Sequence, residues 1–304
     1  MTPDGFLVVD KPAGWTSHDV VARCRRLLGT KKVGHAGTLD PDATGVLIVG
    51  IGRATRLLRF ATALPKLYVG EVVLGMTTST LDASGEVTGH FDMGGVGLEE
   101  VREAARSLTG RIDQVPPMVS AVKVAGRRLH ELARAGIEVE RAPRTVEVFR
   151  FEVFETGESD TYRVLVECSS GTYVRVLAAD VGVRLGGGGY LSVLRRVSVG
   201  SFGDVEAIAL EQVAPERVRP PEELVRDLPG GVAPPDLAQA LRHGKSVERL
   251  ALGLAGEGPW AVVDGCGRLV AICGPHGVER VKPVVVLQPG GSSRSDDESP
   301  TGDD

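Results

Sequence analysis

Apolar and polar positions alternate in short, well-separated blocks from the first residues onward. Phe6 to Val9 is a short apolar run and predicts a strand. Thr16-Ser17-His18-Asp19 resembles a capping box, with an acid three residues after a hydroxyl. Val20, Val21, Cys24, Leu27 and Leu28 then recur at helical spacing, and Arg23, Arg25 and Arg26 occupy the opposite face. Val46-Leu47-Ile48-Val49 is an apolar run able to anchor the polar loop before it. Tyr68 to Leu74 reads as a strand, and Leu98, Val101, Ala105 and Leu108 share one helical face. Strands follow over residues 146–153 and 162–168, then a helix near 176–185, a turn at Gly186 to Gly189 and a strand from Arg196 to Phe202.

Pro215 to Pro235, rich in Pro, Arg and Glu, marks a boundary. Past it, Trp260 to Asp264, Leu269 to Cys273 and Val281 to Leu287 predict short strands, with Asp264-Gly265-Cys266-Gly267 a hairpin candidate. The pattern is α+β with a small β-rich module. Expected domains are 1–226, 227–289 and a tail at 290–304. The Gly/Ser/Asp/Pro composition of the tail cannot bury a core and predicts disorder.

At 42% hydrophobic the 304-residue chain can pack a core, yet no run approaches the roughly 18 apolar residues of a membrane span. No basic-then-apolar leader opens it, so a cytoplasmic location is expected. Cys24, Cys168, Cys266 and Cys273 lack metal-ligand spacing and read as reduced packing residues, with no metal expected. Neither a GxGxxG nor a P-loop motif is present, so no cofactor is expected.

Charge refines this picture. The net charge is −5, of which the tail contributes −4 with five acids and one Arg. Val20 to Lys66 instead carries nine Lys or Arg against Asp40 and Asp42. A second basic excursion, residues 114–145, opens with a proline pair, holds Lys123, Arg127, Arg128 and Arg134, and predicts one helix ending at Gly136. Such excursions between regular elements commonly bind a partner, although either basic stretch also reads as a solvated face.

Within the first basic stretch, Lys32 to Leu47 sets Asp40 among Gly34, Gly37 and Gly45, with Pro41 disfavouring helix at Asp40. A carboxylate on a fixed turn suits a nucleophile or general base. Equally, it suits an Asx turn entering a strand.

The segment Lys32 to Leu47, with Gly34-His35-Ala36-Gly37-Thr38-Leu39-Asp40 within it, closely resembles the catalytic motif of the TruB family of tRNA pseudouridine synthases. Asp10 to Ser17 resembles that family's opening motif, Lys66-Leu67-Tyr68 with Leu74-Gly75 its second, Cys168 to Arg175 its third and Leu194-Arg195-Arg196 its fourth. Five motifs in order, over roughly residues 5 to 205, make the resemblance specific.

The resemblance implies a pseudouridine synthase fold, with a central mixed or antiparallel sheet flanked by helices, and a PUA-like C-terminal RNA-binding module. It implies isomerisation of uridine 55 in the tRNA T loop, after base flipping, through a covalent Asp40 adduct on the base or at C1′. Tyr68 stacks on the base and takes a proton, and Arg175 holds Asp40 ionised. His35 supports the RNA during flipping, and Tyr173 and Leu194 line the uridine pocket. Lys123, Arg127, Arg128 and Arg134 form an RNA-gripping thumb. Lys11 supports the active-site loop and counts among the RNA-binding positions. Asp82 matches an acidic position. Ser79, His130 and Tyr190 depart from the residues common in the family and bear on finer RNA contacts. The expected partner is the tRNA T stem-loop, met by a monomer needing neither membrane nor protein partner. A guide-RNA-dependent dyskerin-type subunit and a pure RNA chaperone are the rivals.

Overall fold

The computed structural model describes residues 3–120, 123–124, 127–129, 137 and 139–287. The chain divides between Pro220 and Pro221, inside the proline-rich stretch and ahead of the boundary expected after residue 226.

The first unit opens with β1 (Gly5–Lys11), buried almost throughout. Next comes α1 (Ser17–Leu28). Thr16 Oγ1 accepts from Asp19 N, and the Asp19 carboxylate accepts from Thr16 N. The helix ends where Gly29 takes the left-handed conformation, φ 60°. Its apolar stripe, with Val20, Val21 and Leu28, packs on Leu7, Leu47 and Val49. Each such side chain contributes about 1.5–3 kcal/mol on burial.

β2 (Val33–His35) and β3 (Thr44–Ile51) flank the Asp40 loop. After a 3-10 turn at Gly52–Arg56 and the short α2 (Leu58–Ala63) runs β4 (Lys66–Leu74). Burial alternates along β4, which puts Lys66, Tyr68 and Val72 on the inner face. A small hairpin of β5 (Met76–Thr78) and β6 (Val87–His90) leads to α3 (Leu98–Ser107) and β7 (Gly110–Gln114).

A two-residue ladder, β8 (Lys123–Val124) with β9 (Arg127–Arg128), follows. The helix predicted to end at Gly136, together with His130 and Arg134, lies outside the described residues. β10 (Arg144–Glu155), β11 (Thr161–Cys168), α4 (Val174–Arg184) and β12 (Gly189–Val199) complete the core, with β13 (Phe202–Gly203) and β14 (Ile208–Ala209) at its margins.

Ten strands form one mixed sheet in the order β14-β1-β3-β12-β4-β11-β10-β7, with β13 on β12 and β2 on β3. The β1/β14 and β3/β12 pairs are parallel and the others antiparallel. The strand expected from Arg196 to Phe202 is instead the end of β12: Gly200, at φ 53°, turns the chain back into β13. One hydrophobic core lies between α3, α4 and strands β4, β10 and β11, and another beneath α1.

In the second unit, β15 (Gly230–Val232), α5 (Pro235–Arg242), β16 (Val247–Glu248), β17 (Trp260–Val263), β18 (Leu269–His276) and β19 (Arg280–Val286) build a five-stranded sheet, ordered β15-β17-β18-β19-β16. The β17–β18 hairpin closes where Asp264 Oδ1 accepts from Cys266 N and Arg268 N, at 3.0 and 3.1 Å. That turn exposes Cys266, which is therefore not a packing residue. Cys24, Cys168 and Cys273 are buried, and all four thiols are free. The tail at 290–304 lies outside the described residues. Among the described residues no helix is long and apolar enough to cross a membrane.

Candidate active site

Asp40 sits in the loop between β2 and β3, and neighbours far away in sequence fix that loop. Ala43 N donates to Asp40 O at 3.2 Å, closing a turn with Pro41 behind Asp40. The Pro41 carbonyl accepts from Gly14 N and from Lys11 Nζ, at 3.0 and 2.8 Å. Lys11 Nζ also donates to the Pro12 and Trp15 carbonyls. Ser17 Oγ accepts from Leu39 N at 2.9 Å. From the fourth motif, Arg196 donates to Val46 O and Gly37 O at 2.7 and 3.2 Å. Gly45 is required beside it: φ is 102°, and a Cβ would stand 2.2 Å from Arg196 O.

These contacts correct the expectation for Lys11 as an RNA contact. Lys11 is fully buried, its three donors serve backbone carbonyls, and burial lowers its pKa to about 8. Its ammonium ties Pro41, in the Asp40 loop, to Pro12 and Trp15.

The loop delivers Asp40 to a cleft of about 250 Å³ lined also by Lys66, Tyr68, Tyr173, Arg175, Leu194 and Arg196. Sheet register gathers several of these, since Arg196 pairs with Tyr68 on β4 and with Gly45 on β3. Arg175 lies in the first turn of α4 and is 4% exposed. Its Nη2 donates to Asp40 Oδ1 at 3.1 Å and to Val119 O at 2.8 Å. Its Nη1 donates to Asp82 Oδ2 at 3.3 Å and to Thr80 O. The other Asp82 oxygen is held by Thr80 Oγ1 and Ser84. One guanidinium therefore bridges two carboxylates, in the fork geometry that favours Arg over Lys.

Burial raises the Asp40 pKa; Arg175 opposes that shift and Asp82 adds to it. Arg175 thus favours the ionised carboxylate against a larger opposing effect of burial, and the carboxylate still opens to the cleft with its side chain 39% exposed. Burial likewise raises the Tyr68 pKa against the Arg196 charge, so its phenol is neutral near pH 7. His35, on β2, is not among the residues lining the cleft. Its ring meets that of His18 edge-on at 5.3 Å, and burial lowers its pKa to about 4, so it is a neutral imidazole. Arg127 is exposed, while the side chains of Lys123 and Arg128, and all of Arg134, lie outside the described residues.

Sequence reasoning did not single out Ser17, Gln114 or Arg196. Ser17 and Arg196 belong to the opening and fourth motifs, which is the signal that marks them. Gln114 carries no motif signal beyond opening the basic excursion. Among the described residues no cluster of His, Cys, Asp and Glu is arranged to hold a metal.

A family model described as TruB family pseudouridylate synthase (N terminal domain) matches residues 25–174. A protein of Mycobacterium sp. (strain KMS) named tRNA pseudouridine synthase B is 49% identical, covering 94% of this chain and 96% of that one. The protein of that name from Rhodococcus jostii (strain RHA1) is 48% identical over 94% of each. Among solved structures, a Cbf5-Nop10-Gar1 complex has a chain with TM-score 0.74 and 27% identity, covering 94% of this chain and 85% of that one. A chain in an H/ACA RNP bound to a substrate RNA containing 2'-deoxyuridine gives TM-score 0.72 at 25% identity, with the same coverage. Close identity over nearly the whole length and the sheet that assembles the cleft lead to one assignment: the chain belongs to the TruB family of pseudouridylate synthases.

Proposed function

We propose that this chain is a stand-alone tRNA pseudouridine synthase that isomerises uridine 55 of the T loop, with Asp40 as the nucleophile. The observation that carries this reading is the Asp40 carboxylate, open to the cleft, 3.1 Å from a buried Arg175 and in one pocket with Tyr68. Asp40 forms a covalent adduct with the nucleoside, on the base or at C1′. The N-glycosidic bond breaks, the uracil turns, C5 bonds to C1′, and the bond to Asp40 breaks to free the carboxylate; the proton lost from C5 is balanced by one gained at N1. The reaction needs no redox partner and no net hydrolysis.

A stacked uridine hides these atoms, so it flips into the cleft at a cost of a few kcal/mol. Tyr68 and Leu194 offer surfaces for the flipped ring, and Tyr173 closes the wall. The neutral His35 beside the loop suits a role in holding the opened RNA rather than in proton transfer. The second unit is read as a PUA-like RNA-binding module. Incubating the purified protein with an unmodified tRNA transcript, without guide RNA or other protein, tests the whole reading. Formation of pseudouridine at position 55 supports it. Dependence on a guide RNA or on a second protein refutes it.

Tyr68 separates ring from hydroxyl. A neutral phenol accepts the C5 proton only by passing on its own, so Tyr68→Phe is expected to slow single turnover by about 10²-fold, the lower range for general acid–base groups. Affinity for tRNA should be kept, because stacking uses the ring. Full activity of Tyr68→Phe beside an inactive Tyr68→Ala would leave stacking as the sole role.

Lys123, Arg127, Arg128 and Arg134 are read as an RNA-gripping surface. Changing all four to Ala is expected to weaken tRNA binding and to lower the salt slope by about 0.7–0.9 per lost phosphate contact. Single turnover at saturating enzyme should change far less. If affinity and salt slope stay as in the wild type, RNA enters elsewhere, with the Arg23 to Arg26 face of α1 the next surface to test.

A further inference from the structure

Gln114 is the last residue of β7 and is 2% exposed, at the point where the chain leaves the sheet for the basic excursion. Its side chain pairs with one distant peptide unit at both ends. Oε1 accepts from Tyr173 N at 3.0 Å, and Nε2 donates to Tyr173 O at 3.3 Å. A side-chain amide here does what a neighbouring strand does elsewhere: it satisfies one residue's donor and acceptor and fixes its peptide plane.

That residue is the N-cap of α4, held in extended geometry (φ −103°, ψ 105°) with no side-chain cap. The Tyr173 carbonyl also accepts from Val176 N and Leu177 N, so its direction sets the first helical turn. Arg175 lies in that turn. Further along the segment from Gln114, beyond Pro116 and Pro117, the Val119 carbonyl takes a hydrogen bond from Arg175 Nη2 at 2.8 Å. The Nη2 group has two hydrogens, and the other faces Asp40. Residues 114–119 thus strap the start of α4 at two points, Tyr173 at one end and Arg175 at the other.

We propose that Gln114 is a positioning residue of the uridine site, fixing the Tyr173 peptide and, through the first turn of α4, the bearing of Arg175 on Asp40. The proposal rests on reading Asp40, Tyr173 and Arg175 as that site. A Gln that merely satisfied its own amide would matter to stability alone. One that aims Arg175 matters to the rate of every folded molecule, because a misplacement of about 1 Å can cost 10²-fold.

The test compares full-length wild type, Gln114→Leu, Gln114→Glu and Asp40→Asn in single turnover on unmodified tRNA transcript, with enzyme saturating and pH varied. Gln114→Leu removes both bonds at similar volume. It is expected to turn over about 10²-fold more slowly with unchanged tRNA affinity. Its acid limb should move to higher pH, because a displaced Arg175 opposes the desolvation of Asp40 less. Gln114→Glu keeps an acceptor for Tyr173 N and should fall between the two. A defect in stability alone would lower the amplitude, with rate and pH profile as in the wild type, and would overturn the proposal. So would a loss confined to tRNA affinity, or wild-type kinetics. If Gln114→Leu does not fold, Gln114→Glu is judged on the same rate and pH profile. Activity in Asp40→Asn would instead refute the site reading beneath the proposal.

Discussion

Asp40→Asn is expected to abolish pseudouridine formation, with a loss of about 10⁶-fold or more, the scale on which enzymes exceed the uncatalysed reaction. Asn has the same shape but no anionic oxygen to form the adduct, and among the described residues no other carboxylate lines the cleft. Affinity for tRNA and the fold should persist, since the loop is held by Lys11, Gly14, Ser17 and Arg196 through backbone atoms and not through the Asp40 carboxylate. Stability provides a second readout. The Asp40 pKa is raised in the folded chain, so its ionised form is less favourable there than in the unfolded chain. Removing the charge should therefore leave the melting temperature at pH 7 equal or higher, and any gain should vanish as the pH falls and Asp40 takes up a proton. Two results would count against the assignment: a sizeable fraction of wild-type turnover in Asp40→Asn, or a melting temperature well below wild type.

The elements around this loop were legible wherever a period carries the information. The capping box and apolar stripe of α1 and the strand-like run from Tyr68 to Leu74 are local patterns, and α1 and β4 follow them closely. The Asp40 loop was legible for another reason, since a motif names its residues whatever their neighbours. What stayed hidden were single polar residues whose partners are far along the chain. Arg196 reaches Val46 across 150 positions and Gln114 reaches Tyr173 across 59, and neither strand's pattern marks a side chain chosen for such a contact. Lys11 shows the same blindness with opposite sign. The resemblance alone put Lys11 among the RNA-binding positions, yet three carbonyls converge on it inside the fold. The end of β12 was misplaced because apolar residues recur at Val197, Val199 and Phe202 on both sides of a turn made at Gly200. The balance of charge at Asp40 was equally out of reach, since it depends on burial and on Asp82 approaching through Arg175.

That balance makes Arg175→Met the second large expected effect. The wild-type guanidinium stands between Asp40 and Asp82, 3.1 and 3.3 Å from their oxygens. Without it, Asp40 and Asp82 both lose the guanidinium that bridges them. The Asp40 pKa, already raised by burial and by Asp82, must rise further. A nucleophile acts in its ionised form, so the acid limb of the single-turnover rate should move to higher pH in Arg175→Met. The plateau above that limb should also fall, by about 10³-fold, the scale of losing one preorganised charged donor at a reacting centre. Arg175→Lys restores a point charge but cannot fork across both carboxylates. It should return the limb part of the way towards the wild-type position while leaving the plateau low. The converse substitution, Asp82→Asn, removes the like charge and should move the limb to lower pH. Rate–pH profiles of the four proteins, at enzyme concentrations that saturate tRNA, measure both quantities in the folded fraction. A limb that stays at the wild-type pH in Arg175→Met would mean that the guanidinium is a structural tie for Val119 and not the counter-charge of Asp40.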